Sequence, residues 1–127
     1  MEKPKIHSFY IDIKLPSLNE YTKTNRANRY AGNKMKANNQ SYIRGCIYYH
    51  LKNLKIENPI IVHFTWIENN KRRDLDNITF AQKFILDALV EIGTIKNDNA
   101  RYVKGLTHKF EYKKEAGVMV ELEEVEE

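Results

Sequence analysis

The chain has 127 residues, a hydrophobic content of 42% and a formal net charge of +4. That length holds one domain around one core, and that composition excludes wholesale disorder. No stretch approaches the roughly 18 apolar residues of a membrane span, and Met1-Glu2-Lys3-Pro4 opens the chain without the apolar run of a signal peptide. The single cysteine, Cys46, excludes an internal disulfide and reads as a packed thiol in a tyrosine-rich helical pattern. A reducing cytoplasm fits these features. The charge is unevenly spread. Six of the 17 acidic residues (Glu115, Glu121, Glu123, Glu124, Glu126 and Glu127) follow Lys114, and no basic residue does. Residues 1–114 therefore carry 21 basic against 11 acidic side chains, a net of +10. Such a body suits a polyanionic partner bound in a salt-sensitive way.

Residues 5–15 alternate apolar and polar at Phe9, Ile11, Ile13 and Leu15, the pattern of a half-buried strand, which Pro16 ends. Residues 16–40 are polar and poor in aliphatic side chains, which predicts a long, mobile loop. Asn19, Lys23, Arg26, Arg29, Lys34 and Lys36, interleaved with tyrosines, suit phosphate contact and base stacking there. Ile43, Ile47, Leu51 and Leu54 recur at helical spacing and predict an amphipathic helix over about 39–54. Asn58-Pro59 breaks the chain, and the β-branched and aromatic run 60–68 predicts a strand. A polar turn, Asn69 to Arg73, leads to a helix from about 77 to 92, with Ile78, Ala81, Ile85, Ala88, Leu89 and Ile92 as its apolar stripe. Asp76 or Asn77 can cap it and Gly93 stops it. Two more strands are expected at about 100–112 and 118–125. The order β-α-β-α-β-β predicts one α/β (α+β) domain over residues 1–127 with a mixed sheet, ending in an acidic segment over 115–127.

The chemistry concentrates in Arg72-Arg73-Asp74-Leu75-Asp76-Asn77, with Lys83 and Asp87 beyond it and Asn97-Asp98-Asn99 in the following turn. Carboxylates repel phosphate, so a nucleic-acid-binding surface has no electrostatic reason to keep them. The repulsion inverts if they hold Mg²⁺ or Mn²⁺, which bridges carboxylate to phosphate. Asp74 and Asp76 straddle Leu75. In an extended segment both would point to one side while Leu75 enters the core. Asp98 can join them only if the chain doubles back along the intervening helix. Lys83 and Asp87, four apart, can form a solvated pair, or the Lys83 ammonium can stabilise a transition-state phosphate. The pattern is not a calcium loop, because Thr79 and Ile85 stand where that loop needs glycine and glutamate. Three function classes remain. One is a metal-dependent enzyme that cuts a phosphodiester. Another is a non-catalytic, dimeric nucleic-acid-binding protein in which the aspartates cap helices. The third is an acidic-tailed interaction module, which leaves the carboxylate cluster unexplained.

With its basic pair, Asp74-Leu75-Asp76-Asn77, Lys83, Asp87-Ala88-Leu89, Asn97-Asp98 and the early Pro16-Ser17-Leu18-Asn19-Glu20-Tyr21, the sequence resembles the RusA family of Holliday-junction resolvases, small endonucleases of phages and prophages. The resemblance spans most of the chain. Lys83 matches when counted back from Asp87, whereas the position four after Asp76 is Phe80; the turn carries one carboxylate, Asp98, where the family has an acidic pair. The resemblance implies a RusA-like fold and a homodimeric, Mg²⁺- or Mn²⁺-dependent crossover-junction endodeoxyribonuclease that makes paired nicks in four-way junctions. Asp74, Asp76 and Asp98 would bind metal, Lys83 would be catalytic, and Arg72, Arg73 and the 16–40 segment would hold DNA. It implies a bacterial host cytoplasm, with phage or host origin open.

Overall fold

Alternating apolar residues build the sheet. The computed structural model describes residues 5–126, so Met1 to Pro4 and Glu127, the ends of the expected domain and acidic segment, lie outside the described residues. The strands are β1 (Ile6–Ile11), β2 (Ile60–Glu68), β3 (Val103–Tyr112) and β4 (Gly117–Glu124). The helices are α1 (Leu18–Ala27), α2 (Arg29–Leu51), α3 (Leu75–Thr79) and α4 (Gln82–Glu91). The sheet order is β1-β4-β2-β3; β4 runs antiparallel to both neighbours and β2 runs parallel to β3. The fold is therefore a single α+β domain with a mixed sheet, and α3 and α4 form the crossover that a parallel pair requires. No helix among the described residues is long and apolar enough to cross a membrane.

One face of the sheet supplies Phe9, Ile11, Val62, Phe64, Trp66, Val118, Val120 and Leu122 to a core closed by Ile43 and Ile47 of α2 and by Phe84, Ile85, Ala88 and Leu89 of α4. Each buried Val, Leu, Ile or Phe side chain among them contributes about 1.5–3 kcal/mol by leaving water. The acidic C-terminal segment is the interior strand β4. Its Val118, Val120 and Leu122 enter the core, while His63 takes Glu123 at 2.8 Å and His7 takes Glu124 at 2.7 Å. That removes the physical basis for a free acidic tail over the described part.

The expected loop over 16–40 is instead helical. Ser17 and Glu20 close a reciprocal capping box at the start of α1. Between the two helices only Asn28 is extended; its side chain caps α2 by accepting from Tyr30 and Ala31 N–H. The corner is tight because a Cβ on Gly32 would stand 2.9 Å from the Asn25 Cα. The single expected helix over 77–92 divides into α3 and α4. At Phe80-Ala81 the bonding tightens to Ala81 N–H→Ile78 C=O and Lys83 N–H→Phe80 C=O. Gly93 ends α4 with φ of 84°, a left-handed conformation suited to glycine.

β3 carries one buried-face histidine. The His108 ring stacks on Phe64 at 5.2 Å and its Nδ1 accepts the Trp66 indole N–H at 2.9 Å. Burial of that face holds its pKa below the ordinary 6.5. The neutral ring is thus favoured on folding. Its contribution is complete above pH 6.5 and is lost as pH falls through the lower folded value. Denaturant midpoints should drop between pH 7.5 and 5, and His108→Gln should reduce that drop. An equal drop in the variant would assign the acid sensitivity elsewhere. Glu124, whose carboxyl is held below its ordinary 4.5 chiefly by the His7 hydrogen bond, loses its contribution only at more acid pH.

Candidate functional site

The turn after β2 is built by its own side chains: Asn70 accepts the Arg72 N–H at 2.9 Å. Asp74 is the N-cap residue of α3. Its carbonyl accepts from Asn77 and Ile78 N–H, and its carboxylate makes no capping bond. Asp76 lies in the first turn of α3, where one carboxylate oxygen accepts the Asn77 N–H at 3.1 Å. The helix thus begins at Leu75, and the extended geometry expected for 74–76 is absent. Leu75 is 50% exposed rather than buried, and Ile78 takes the core position instead.

Asp98 is fixed in the turn after α4, where Asn97 accepts its N–H at 2.7 Å. The parallel crossover decides where that turn lies. Ile60 pairs with Val103 and Glu68 with Tyr112. Asp74 and Asp76 follow the Glu68 end of β2, whereas Asp98 precedes the Val103 end of β3. At about 3.3 Å per residue, a nine-residue strand separates the two ends. Doubling back along the helix therefore does not reunite Asp98 with Asp74. Among the described residues no three His, Cys, Asp or Glu side chains form a group able to hold a metal ion. Asp74, Asp76 and Asp98 do share two properties: each is exposed, and none makes an ion pair among the described residues.

Lys83 projects from α4 with its side chain 62% exposed, and its Nζ stands 3.9 Å from Asp87. The same carboxylate oxygen faces Lys36 Nζ at 3.9 Å and accepts from Gln40 Nε2 at 3.3 Å, so Asp87 joins α2 to α4. Asn19, Lys23 and Arg26 recur at four- and three-residue spacing on α1, whose residues are nowhere buried. That spacing gives one exposed polar helix face. Arg29 and Lys34 stand exposed on α2, while Lys36 is half-buried beside Asp87.

The two arginines before Asp74 part company. Arg72 is exposed. Arg73 turns inward: Nη2 donates to the Leu15 carbonyl at 3.1 Å and Nε lies 3.5 Å from Glu68 Oε1, with side chains 14% and 5% exposed. The assignment of Arg73 to the DNA backbone is therefore corrected. A carboxylate at the buried end of β2 draws the guanidinium inside.

The sequence motifs also left residues unassigned. Lys96 and Arg101 flank the Asp98 turn and, with Glu57, Asn58, Pro59 and Tyr102, line a polar recess of about 230 Å³. Glu57 pairs with Lys96 at 3.0 Å and holds its ammonium pKa above the usual value. Their signal was their position beside Asp98. A larger groove of about 590 Å³ runs between β1 and α2, lined by Tyr10, Asp12, Tyr42, Cys46, Tyr49 and His50 among others. Tyr42 donates to Asp12, which pushes the phenol up to about 12. Burial, then the Asp12 charge, raises the Cys46 thiol, which keeps it protonated near neutrality as a packed thiol would be. No protein-family model and no curated protein matches this sequence.

Proposed function

We propose that the protein is a metal-dependent, structure-selective endodeoxyribonuclease that nicks four-way DNA junctions. One observation carries the reading: Asp74, Asp76 and Asp98 remain exposed and without ion pairs in a chain whose first 114 residues are strongly basic. Exposed carboxylates beside free cations ordinarily pair or are screened. Kept apart from them, they suit a divalent cation that arrives with substrate. Mg²⁺ is commonly taken by one or two carboxylates plus substrate phosphate and water, and when bound it would polarise the scissile phosphate. Asp74 and Asp76 are the donors that one chain offers at one end of its sheet. Arg72 and the α1 face of Asn19, Lys23 and Arg26 hold the backbone, and Lys83 offers an ammonium to developing phosphate charge. The resemblance to RusA resolvases supplies the junction as substrate, the homodimer as working unit and a bacterial cytoplasm as setting.

A second reading is a non-catalytic junction-binding dimer. It is favoured by the positions of Asp74 and Asp76 at a helix N-terminus, where carboxylates are stabilising without metal. A synthetic four-way junction, incubated with Mg²⁺ or with chelator, separates the two. Paired nicks that need the metal and spare linear duplex support the nuclease; tight binding without nicks supports the alternative. Binding should also weaken steeply with salt. Arg72→Ala should flatten the slope of log affinity against log salt by about 0.9, one phosphate contact's worth on duplex. An unchanged slope would move the DNA to another surface.

A further inference from the structure

Glycine inside a helix lowers stability relative to alanine, so it ordinarily answers a steric demand. Gly32 of α2 does, because the Asn25 backbone approaches it closely. Gly45, also inside α2, does not: a Cβ there would meet nothing within 4 Å. The open space beside it is the groove of about 590 Å³ between β1 and α2, which lies in the range, roughly 300–1,000 Å³, of small-molecule sites. Tyr42, Gly45, Cys46 and Tyr49 follow one another at three- and one- and three-residue steps and so share one face of the helix. Tyr10 and Asp12 close the groove from the end of β1. The Tyr10 ring is held there by the close approach of Gly117, where a Cβ would strike it.

The groove is also electrostatically distinct from the basic body around it. Asp12 Oδ1 accepts the Tyr42 O–H, while Oδ2 has no hydrogen-bond partner and Asp12 no ion pair among the described residues. No lysine or arginine lines the groove. The Tyr42 phenol, pushed up to about 12 chiefly by its bond to Asp12, and the Cys46 thiol, raised chiefly by burial, are both uncharged near neutrality. One carboxylate charge therefore stands among three phenol rings. The carboxylate and the ring faces both attract a cation and repel an anion. Lys52 already exploits this on the outer part of the cluster, with its Nζ 5.5 Å from the Tyr49 ring centroid. We propose that the groove binds a small organic monocation, an ammonium on an apolar body, whose N–H donates to Asp12 Oδ2 while the body lies against Tyr10, Tyr42 and Tyr49 in the space beside Gly45. One carboxylate matches one ammonium; a polyamine would leave its other charges without a partner. The proposal uses none of Asp74, Asp76, Lys83 or Asp98, and it stands whether or not the protein cuts DNA.

Benzylammonium, benzyl alcohol and benzoate test this, since they share a ring and differ in charge. Calorimetric titration of the full chain near neutral pH should show one site, with benzylammonium about tenfold tighter than benzyl alcohol, the scale of a cation held by ring faces and a carboxylate. Benzoate should not bind. Amide NMR shifts on titration should centre on Gly45 and Cys46. Asp12→Asn keeps an acceptor for Tyr42 and should erase the preference for the ammonium. Gly45→Phe should fill the groove and abolish binding, and Gly45→Ala should raise the unfolding midpoint, because a new Cβ meets no neighbour. Equal affinity for alcohol and ammonium overturns the proposal, as does a preference that survives Asp12→Asn or binding that survives in folded Gly45→Phe. No saturable binding of benzylammonium at millimolar concentration overturns it too. A lowered midpoint for Gly45→Ala would assign the glycine to the fold and remove the argument that the groove is kept open. Should Gly45→Phe fail to fold, the Asp12→Asn titration and the position of the NMR shifts decide.

Discussion

Asp74→Asn, Asp76→Asn and Asp98→Asn should each slow junction cleavage by at least about a hundredfold, the scale of losing one preorganised group that stabilises transition-state charge. Binding should survive or tighten, because each change removes a negative charge that repels phosphate. Stability should hardly move. All three carboxylates are exposed and make no ion pair among the described residues, and Asp74 caps α3 without a side-chain bond. Thermal midpoints measured beside cleavage rates therefore separate a lost ligand from a lost fold. A variant with wild-type turnover at low Mg²⁺ is not a ligand. Lys83→Ala belongs to the same series. Its ammonium is largely solvated and 3.9 Å from Asp87, so its removal should slow cleavage at unchanged stability; an unaltered rate leaves Lys83 as a surface ion pair.

The sheet was legible because burial on one face imposes a period of two. The β-branched run 60–68 is bounded by Pro59 and Asn69-Asn70, and β2 spans those residues. The helices were less legible. α1 buries nothing, so no apolar stripe announces it. Its signal was chemical instead: Ser17 three residues before Glu20, then Asn28 ready to cap the next helix. The break between α3 and α4 has no glycine or proline to mark it. It follows from packing, with Phe80 against Tyr21 and Phe84 while Ile78 and Ala81 both enter the core.

The candidate site was legible as a list of residues and not as a geometry. Alternation ends at Glu68, and by Leu75 the chain is helical, so Asp74 and Asp76 do not share a strand face. The position of Asp98 depends on β2 and β3 being parallel, a pairing that local sequence does not state. Had the strands been antiparallel, the turn would have fallen at the Asp74 end. Arg73 could have been anticipated. Ile60, Val62, Phe64 and Trp66 are core residues, and the same parity puts Glu68 on the buried face, where a carboxylate requires a cation.

Arg73→Ala should destabilise the protein by about 3–5 kcal/mol, the cost of removing one partner from a buried ion pair. Glu68 is 5% exposed, and Arg73 is its salt-bridge partner at 3.5 Å. The guanidinium also donates to the Leu15 carbonyl, so one side chain ties the end of β2 to the segment that leads into α1. Arg73→Lys should recover only part of the loss, since a single ammonium lacks the fork that reaches carboxylate and carbonyl together. Glu68→Gln should relieve much of the penalty in an Arg73→Ala background by removing the stranded charge, giving a coupling energy in a double-mutant cycle. Denaturant unfolding of the four proteins measures it. DNA binding supplies the contrast: the Glu68→Gln/Arg73→Ala double variant, kept folded at low temperature, should leave the salt slope of junction affinity unchanged while Arg72→Ala lowers it. Full stability in Arg73→Ala, or additive changes in the cycle, would return Arg73 to the surface and to the DNA.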